Sequence, residues 1–190
     1  MELTEEDKVI LLVAARESIK TAFSESLPPT LDYNQFPNLK LKYGAFVTLR
    51  INNDLRGCIG YIYTKIPLFK TVCDAARQSA FDDPRFLPLS SVELNKVNIE
   101  ISVLSIPVHI NGYDDIKLGL HGLLLEEGAN KSVLLPQVAT ENKIGLDEFL
   151  SILCEKAGLH SQSWKTKMLN LKSFEAQVFS EEEMLRKKNE

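Results

Sequence analysis

A short stretch of the sequence places a cysteine, an arginine and two glycines where they could support thiol chemistry. Residues 55–60 read LRGCIG, with Cys58 between Gly57 and Gly60 and two positions after Arg56. A guanidinium beside a thiol favours the thiolate, which is the nucleophilic form of cysteine. Because side chains alternate along an extended strand, Arg56 and Cys58 are expected on one face, and Gly60 would leave space beside the sulfur. These residues predict a nucleophile or covalent carrier at Cys58, with Arg56, Gly57 and Gly60 as substrate-binding residues.

The same residues also have a purely structural interpretation. A free cysteine is often a small buried core residue. A glycine inside a strand often marks the close approach of a neighbouring backbone. Two roles therefore stay open for Cys58: a reactive thiol and a packed side chain.

Three charged residues are candidates for the same site. Asp83 and Arg85 belong to a DPRF turn, where Arg85 could orient an anionic or carbonyl-bearing substrate or pair with Asp82 or Asp83. Glu100 lies in the middle of a predicted strand, where a carboxylate needs water or a basic partner such as Arg56 or Arg85. We therefore assign substrate binding to Asp83 and Arg85, and proton transfer to Glu100.

Two more candidates lie in the second half of the chain. His121 stands between glycines, where a ligand could approach the backbone, and histidine is the usual general base near neutral pH. A loop histidine hydrogen-bonded to backbone is the alternative interpretation. Gln137 follows Pro136 and could present its amide to a ligand. We assign proton transfer to His121 and substrate binding to Gln137.

The hydrophobic pattern indicates which elements must position these residues. Residues 43–51 alternate between apolar and polar side chains and predict a strand. Asn52 and Asn53 tolerate the left-handed backbone of a hairpin turn, so the LRGCIG strand should return antiparallel and hold Cys58 on a rigid element. A helix should begin at Pro67 and pack against this sheet.

The rest of the chain predicts an α+β fold with a mainly antiparallel sheet and flanking helices. The remaining predicted elements are a helix from Thr4 to about residue 25, a strand over 96–106, a hairpin within 123–135, a helix over 147–157, a strand near 174–178 and a charged, frayed tail at 181–190. Since no repeat or linker interrupts them, we expect one domain over residues 1–190.

Composition argues against several classes of protein. The net charge of −4 argues against a nucleic-acid partner, because phosphate binding needs a basic surface. No apolar run approaches the ~20 residues that span a membrane, and the acidic start of the chain is unlike a signal peptide. The P-loop, the dinucleotide fingerprint and the nucleophile elbow do not occur in the sequence.

The cysteines and histidines predict a reducing compartment and no metal site. Cys58, Cys73 and Cys154 are odd in number and far apart, which is typical of a cytoplasmic protein without disulfides. The three histidines are too widely spaced for a local metal motif. We expect no cofactor or metal, and we expect Cys73 and Cys154 on the faces of helices.

Seven short segments, in a fixed order along the chain, carry a resemblance to a known family. They are 46–49 (FVTL), 55–60 (LRGCIG), 83–86 (DPRF), 100–104 (EISVL), 119–123 (GLHGL), 134–138 (LLPQV) and 156–159 (KAGL). Together they resemble the AMMECR family, named after the chromosomal region of Alport syndrome, mental retardation, midface hypoplasia and elliptocytosis. Prokaryotic members are called protein A of the AmmeMemoRadiSam set. The chain departs from the family pattern at Ser132 and Val133, where a glycine is usual, and at Leu146, where a tryptophan is common.

The resemblance implies a fold with a larger and a smaller subdomain, and a candidate site at the LRGCIG motif near their junction. It also implies a pathway shared with a Memo-like protein, similar to extradiol dioxygenases, and a radical S-adenosylmethionine protein. Two function classes follow. The protein is either a cysteine-dependent enzyme acting on a small molecule or modified substrate, or a non-catalytic adaptor that binds those proteins.

Overall fold

A computed structural model describes residues 2–187 of the chain. Residues 2–103 and 177–187 form one unit, and residues 104–176 form a second. Each unit has a hydrophobic core of its own. The strand pairs within both units are antiparallel and helices flank them, so the fold is α+β, as the sequence predicts.

The first helix, α1 (Glu5–Lys20), begins where the sequence predicts and ends earlier. The Thr4 side chain accepts a hydrogen bond from the Asp7 N–H, and the Asp7 carboxylate accepts one from the Thr4 N–H, which completes a capping box. The apolar residues and alanines at positions 11, 12, 14, 15 and 19 are buried, whereas Val13 is 56% exposed. Small side chains on the buried face let α1 pack closely against the next helix.

The candidate cysteine lies in a tight hairpin of strands β1 (Ala45–Ile51) and β2 (Asp54–Tyr61), preceded by a 3-10 helix at Pro37–Lys40. Asn52 and Asn53 have φ values of 51° and 69°, so the predicted left-handed turn is confirmed. The strand register shifts between Leu49 and Arg50, which leaves Arg56 as the extra residue of a β-bulge.

A helix and a third strand complete this part of the first unit. The elements are α2 (Leu68–Phe81), the one-turn helix α3 (Ser91–Leu94) and β3 (Asn98–Leu104). Helix α2 begins after Pro67, as predicted, and buries a stripe that includes Val72, Ala75 and Ala76. Strand β3 pairs antiparallel with β1, so β1 lies in the middle and β2 on the edge of this sheet.

The second unit is a small antiparallel sheet with short helices. Its elements are β4 (Val108–His109), a 3-10 helix at Tyr113–Asp115, β5 (His121–Glu127), β6 (Asn130–Leu134), α4 (Gln137–Glu141), α5 (Leu146–Lys156), α6 (Ser163–Thr166) and β7 (Leu171–Ser180), whose residues up to 176 belong to this unit. Helix α5 buries Phe149, Leu150 and Leu153. Ser132 donates a hydrogen bond of 2.7 Å to the Leu153 carbonyl, which joins β6 to α5.

Two candidate residues of this unit lie in regular elements rather than loops. His121 is the first residue of β5, and Gln137 is the first residue of α4. The strand is longer than the predicted hydrophobic run because pairing with β7 extends from His121 to Leu125.

The chain returns to the first unit at residue 177, and helix α7 (Glu181–Lys187) follows β7. The Glu181 carboxylate accepts hydrogen bonds from the Arg16 guanidinium and from the Ile99 N–H. The first part of the predicted frayed tail is therefore a helix held to α1 and β3, whereas residues 188–190 lie outside the described residues. Among residues 2–187, no helix combines the length and apolar character needed to cross a membrane.

Candidate functional site

Three side chains form a row across the sheet of the first unit. Thr48 on the middle strand β1 lies opposite Cys58 on β2 and opposite Glu100 on β3. Residues directly opposite each other in antiparallel strands share one face of the sheet. The neighbouring residues Val47 and Leu49 are fully buried on the other face, in the core with α2. The sequence-predicted residues Cys58 and Glu100 therefore share a face, with Thr48 between them.

The backbone of Cys58 is held from outside the sheet by the DPRF turn. The Cys58 N–H donates a hydrogen bond of 2.8 Å to Asp83 Oδ2, and Arg85 Nη2 donates one of 3.2 Å to the Cys58 carbonyl. Asp83 and Arg85 are joined by an ion pair of 2.7 Å. Because β2 is an edge strand, these outward backbone groups would otherwise lack a strand partner. The Asp83–Arg85 pair thus takes the place of a neighbouring strand at Cys58.

The Asp83–Arg85 ion pair also determines the charges near Cys58. Hydrogen bonding by Arg85, together with the N–H groups of Cys58 and Arg85, lowers the pKa of the buried Asp83 carboxyl to about 2. The pKa of Arg85 is raised, first by its hydrogen bond to Asp83, and further by charge and hydrogen-bond interactions with the Cys58 side chain. Arg85 therefore places a positive group next to Cys58, with its Nη2 3.2 Å from the Cys58 carbonyl oxygen.

The Arg56 guanidinium forms its hydrogen bonds with residues other than Cys58. Its Nε donates a hydrogen bond of 2.8 Å to Glu93 Oε1, and its Nη2 donates one of 2.9 Å to the Leu87 carbonyl. The guanidinium of Arg56 lowers the pKa of the Glu93 carboxyl to about 2, with help from Ser90. Strict alternation placed Arg56 beside Cys58, but the bulge at Arg56 interrupts the alternation. The contacts of Arg56 join β2 to α3 and to the loop after Phe86.

Protein atoms occupy the space beside both glycines of the motif. A Cβ on Gly57 would lie 2.1 Å from the Ser79 carbonyl oxygen, so this glycine lets α2 approach the strand. A Cβ on Gly60 would lie 2.5 Å from Cγ of Phe46. The space expected beside the sulfur at Gly60 is therefore filled by the Phe46 ring. The contacts of both glycines agree with the structural interpretation of these positions.

A serine hydroxyl bridges the two strands next to the cysteine. Ser79 Oγ accepts a hydrogen bond of 2.8 Å from the Ile59 N–H and donates one of 2.7 Å to the Val47 carbonyl. Val47 and Ile59 are opposite each other in the hairpin, so the α2 hydroxyl lies where a direct strand-to-strand hydrogen bond would form. Helix α2 and the hairpin are joined one residue from Cys58.

The Cys58 sulfur itself is half-buried and accepts a hydrogen bond. Thr48 Oγ1 donates to Sγ over 3.3 Å. Cys58 and Cys73 are both half-buried, and Cys154 is fully buried on α5. Burial raises the pKa of the thiols of Cys73 and Cys154.

The other two candidate residues belong to the second unit. Nδ1 of His121 accepts a hydrogen bond of 3.2 Å from the Lys117 N–H, which is the backbone contact that the alternative interpretation of this histidine predicts. The Gln137 carbonyl accepts a hydrogen bond from the Thr140 hydroxyl inside α4. Within residues 2–187, the His, Cys, Asp and Glu side chains form no cluster of three or more that could hold a metal ion.

The sequence model of the AMMECR1 family matches residues 12–179. This chain belongs to the AMMECR1 family. Similar proteins include one from Thermofilum pendens, 35% identical over 195 residues that cover 94% of this chain and 92% of that protein. A protein from Nanoarchaeum equitans is 39% identical over 151 residues, 76% of this chain and 84% of that protein. The crystal structure of an uncharacterized protein from Pyrococcus horikoshii superposes with a TM-score of 0.84 at 36% identity, covering 92% of this chain and 91% of that one.

The site of this AMMECR1-family chain contains three residues that the sequence analysis did not assign. Thr48 contacts the Cys58 sulfur, Ser79 bridges β1 and β2, and Glu93 forms an ion pair with Arg56. A signal existed for Glu93, because Ser90 and Glu93 have the spacing of a capping box, which the structure contains. Thr48 and Ser79 carry no such local signal, since their partners lie 10 and 20 residues away in the sequence.

Proposed function

We propose that this AMMECR1-family protein uses Cys58 as the thiol of an active or binding site for a small molecule or a modified substrate. The observation that carries the proposal is the setting of the Cys58 sulfur. It is half-buried, it faces away from the α2 side of the sheet, and it accepts a hydrogen bond from the Thr48 hydroxyl, while the Arg85 guanidinium lies 3.2 Å from the carbonyl oxygen of the same residue. A positive group nearby and a hydrogen-bond donor at the sulfur both favour thiolate.

The positions of these residues support the following roles. Cys58 is the nucleophile or covalent carrier, and Arg85 takes the thiolate-stabilising role that the sequence analysis gave to Arg56. Glu100, in the same row of side chains, is the group for proton transfer. The contacts of Arg56, Gly57 and Gly60 support roles in holding the strand, whereas the assignments of His121 and Gln137 stay predictions from the sequence.

Site-resolved alkylation tests this proposal. The intact protein is treated with iodoacetamide, and the modification of Cys58, Cys73 and Cys154 is followed separately by peptide mass spectrometry. Cys58 should react fastest at neutral pH, because burial raises the pKa of the other two thiols. A Cys58 that reacts no faster than Cys73 and Cys154 until the protein unfolds would overturn the proposal.

A pathway assay tests whether the thiol has a function. The protein is added to a reconstituted mixture with a Memo-like protein and a radical S-adenosylmethionine protein, which are the partners that the family resemblance implies. Cys58→Ser should abolish its contribution, and Cys73→Ser should not. Full activity of Cys58→Ser would refute an active site at this thiol.

A second candidate function is a non-catalytic adaptor for the same proteins. The observation that favours it is a set of exposed apolar side chains next to the Arg56–Glu93 pair. Leu55, Leu87 and Val92 are 38%, 83% and 68% exposed. An apolar surface beside charged residues is typical of a protein interface. In co-purification with the two partners, Leu87→Asp should lose binding if this role is correct, and Cys58→Ser should keep it.

The proposal includes a cytoplasmic location and argues against nucleic acid as a partner. Cys58, Cys73 and Cys154 are all free thiols, as is typical of the reducing cytoplasm, where we propose that the protein acts. The net charge of −4 argues against nucleic acid as a partner.

A further inference from the structure

Thr48, on the middle strand of the sheet, contacts the candidate thiol. Its hydroxyl donates a hydrogen bond of 3.3 Å to Cys58 Sγ, and its side chain is almost fully buried, at 5% exposure. Strand β1 is paired on both sides, with Cys58 opposite Thr48 on β2 and Glu100 opposite it on β3. The donor is thus held on a strand that is paired on both sides.

We propose that Thr48 is a positioning residue for the Cys58 thiolate. Its hydroxyl holds the sulfur in one orientation and stabilises the charged form by donating a hydrogen bond to it. A threonine hydroxyl has one hydrogen, so a donation to sulfur leaves its oxygen free to accept only. A hydrogen bond to an ionised acceptor is stronger than one to a neutral acceptor, and the interaction therefore favours thiolate over thiol. This inference rests on the thiol site proposed above.

The charged groups near Cys58 lie on other elements than Thr48. Arg85 and Asp83 hold the Cys58 carbonyl and N–H from the outer side of β2. Glu100 lies on the far side of Thr48, two strands from the cysteine. The hydroxyl is a neutral donor among these charges, so removing it changes the stabilisation of the thiolate without changing the formal charge of the site.

Two substitutions separate the hydroxyl from the shape of the side chain. Thr48→Val keeps the size and the β-branching but removes the donor, and Thr48→Ser keeps the donor. The rate of Cys58 alkylation by iodoacetamide is measured against pH for wild type and both variants, with Cys73 as the internal control. At neutral pH, Thr48→Val should react about ten-fold more slowly. At alkaline pH its rate should approach that of wild type, and Thr48→Ser should stay close to wild type throughout.

The outcomes distinguish this inference from the proposed function. Equal alkylation rates for Thr48→Val and wild type at neutral pH would overturn the role of Thr48. An equal slowing of Thr48→Val and Thr48→Ser at every pH would also overturn it, because that result indicates an effect of packing. A wild-type Cys58 that is inert to alkylation overturns the proposed function instead. In that case the role of Thr48 is tested by the ultraviolet absorbance of the thiolate. The absorbance of wild type and of each Thr48 variant is measured against pH, and that of the same protein carrying Cys58→Ser is subtracted. Ionisation at higher pH in Thr48→Val supports the hydrogen bond to thiolate, and an unchanged titration refutes it.

Discussion

Two arginines lie on either side of Cys58 in the sequence, and their hydrogen bonds separate their roles. Arg85 binds Asp83 and the Cys58 carbonyl, whereas Arg56 binds Glu93 and the Leu87 carbonyl. Arg56 is partly buried and Arg85 is exposed, and both pair with a carboxylate. Of the two, Arg85 contacts Cys58, and Arg56 joins its strand to a loop.

Paired substitutions test this division at the residue scale. Arg85→Gln should slow the alkylation of Cys58 at neutral pH several-fold, because it removes the positive group next to this residue. Arg56→Gln is the matched control and should lower the melting temperature while leaving the alkylation rate near that of wild type. Equal slowing by the two substitutions would show that Arg85 has no special relation to the thiol.

The free energy of unfolding at acid pH depends on Asp83. Its folded-state pKa of about 2 lies below the ~3.9 of an unfolded aspartate, so its contribution is present above pH ~4 and is lost as the pH falls towards 2. This contribution amounts to about 2 kcal/mol. Urea unfolding between these pH values should show a shallower loss of stability for Asp83→Asn than for wild type. The exposed neighbour supplies the control: Asp82→Asn should keep the wild-type slope.

At the scale of elements, α2 and the β1–β2 hairpin meet without a gap at Gly57 and Ser79. The Ser79 carbonyl occupies the position of a Gly57 side chain, and the Ser79 hydroxyl joins the two strands one residue beyond Cys58. The motif glycine is thus explained by helix packing.

Gly57→Ala should destabilise the first unit. The new methyl group would lie 2.1 Å from a backbone oxygen that cannot rotate away, so the helix must shift at a cost of about 1–3 kcal/mol. Gly112→Ala is the control, because a Cβ there has no neighbour within 4 Å. Thermal unfolding of the two variants checks this. A Gly57→Ala protein as stable as Gly112→Ala would mean that α2 does not rest on this strand.

At the scale of the whole molecule, the chain leaves the first unit after residue 103 and returns at residue 177. Helix α7 then attaches the end of the chain to its beginning, through the Glu181 carboxylate and the Arg16 guanidinium. Arg16 also donates to the carbonyls of Leu94 and Val97. Residues from α1, α7 and the start of β3 therefore share one polar junction.

Glu181→Gln should weaken this junction by about 1–3 kcal/mol, because it removes the charge that pairs with the partly buried Arg16. Glu182→Gln is the matched control, since Glu182 forms an exposed pair with Arg186 within α7, and such pairs contribute little. Chemical denaturation compares the two. If Glu182→Gln were as destabilising as Glu181→Gln, the junction would not be what holds the end of the chain.

The sequence by itself determined the hairpin, the starts of α1 and α2, the helix over residues 147–157 and the family. These features depend on local signals: left-handed asparagines, a capping threonine, a proline and ordered motifs. The tertiary structure decided which residues meet. A regular hairpin continuing from the Ile51–Asp54 pair would place Cys58 opposite Val47, on the core face, but the bulge at Arg56 places it opposite Thr48. A shift of one residue moves a side chain to the other face of a sheet, and contacts with α3 and the loop before it, distant in sequence, hold the bulged arginine.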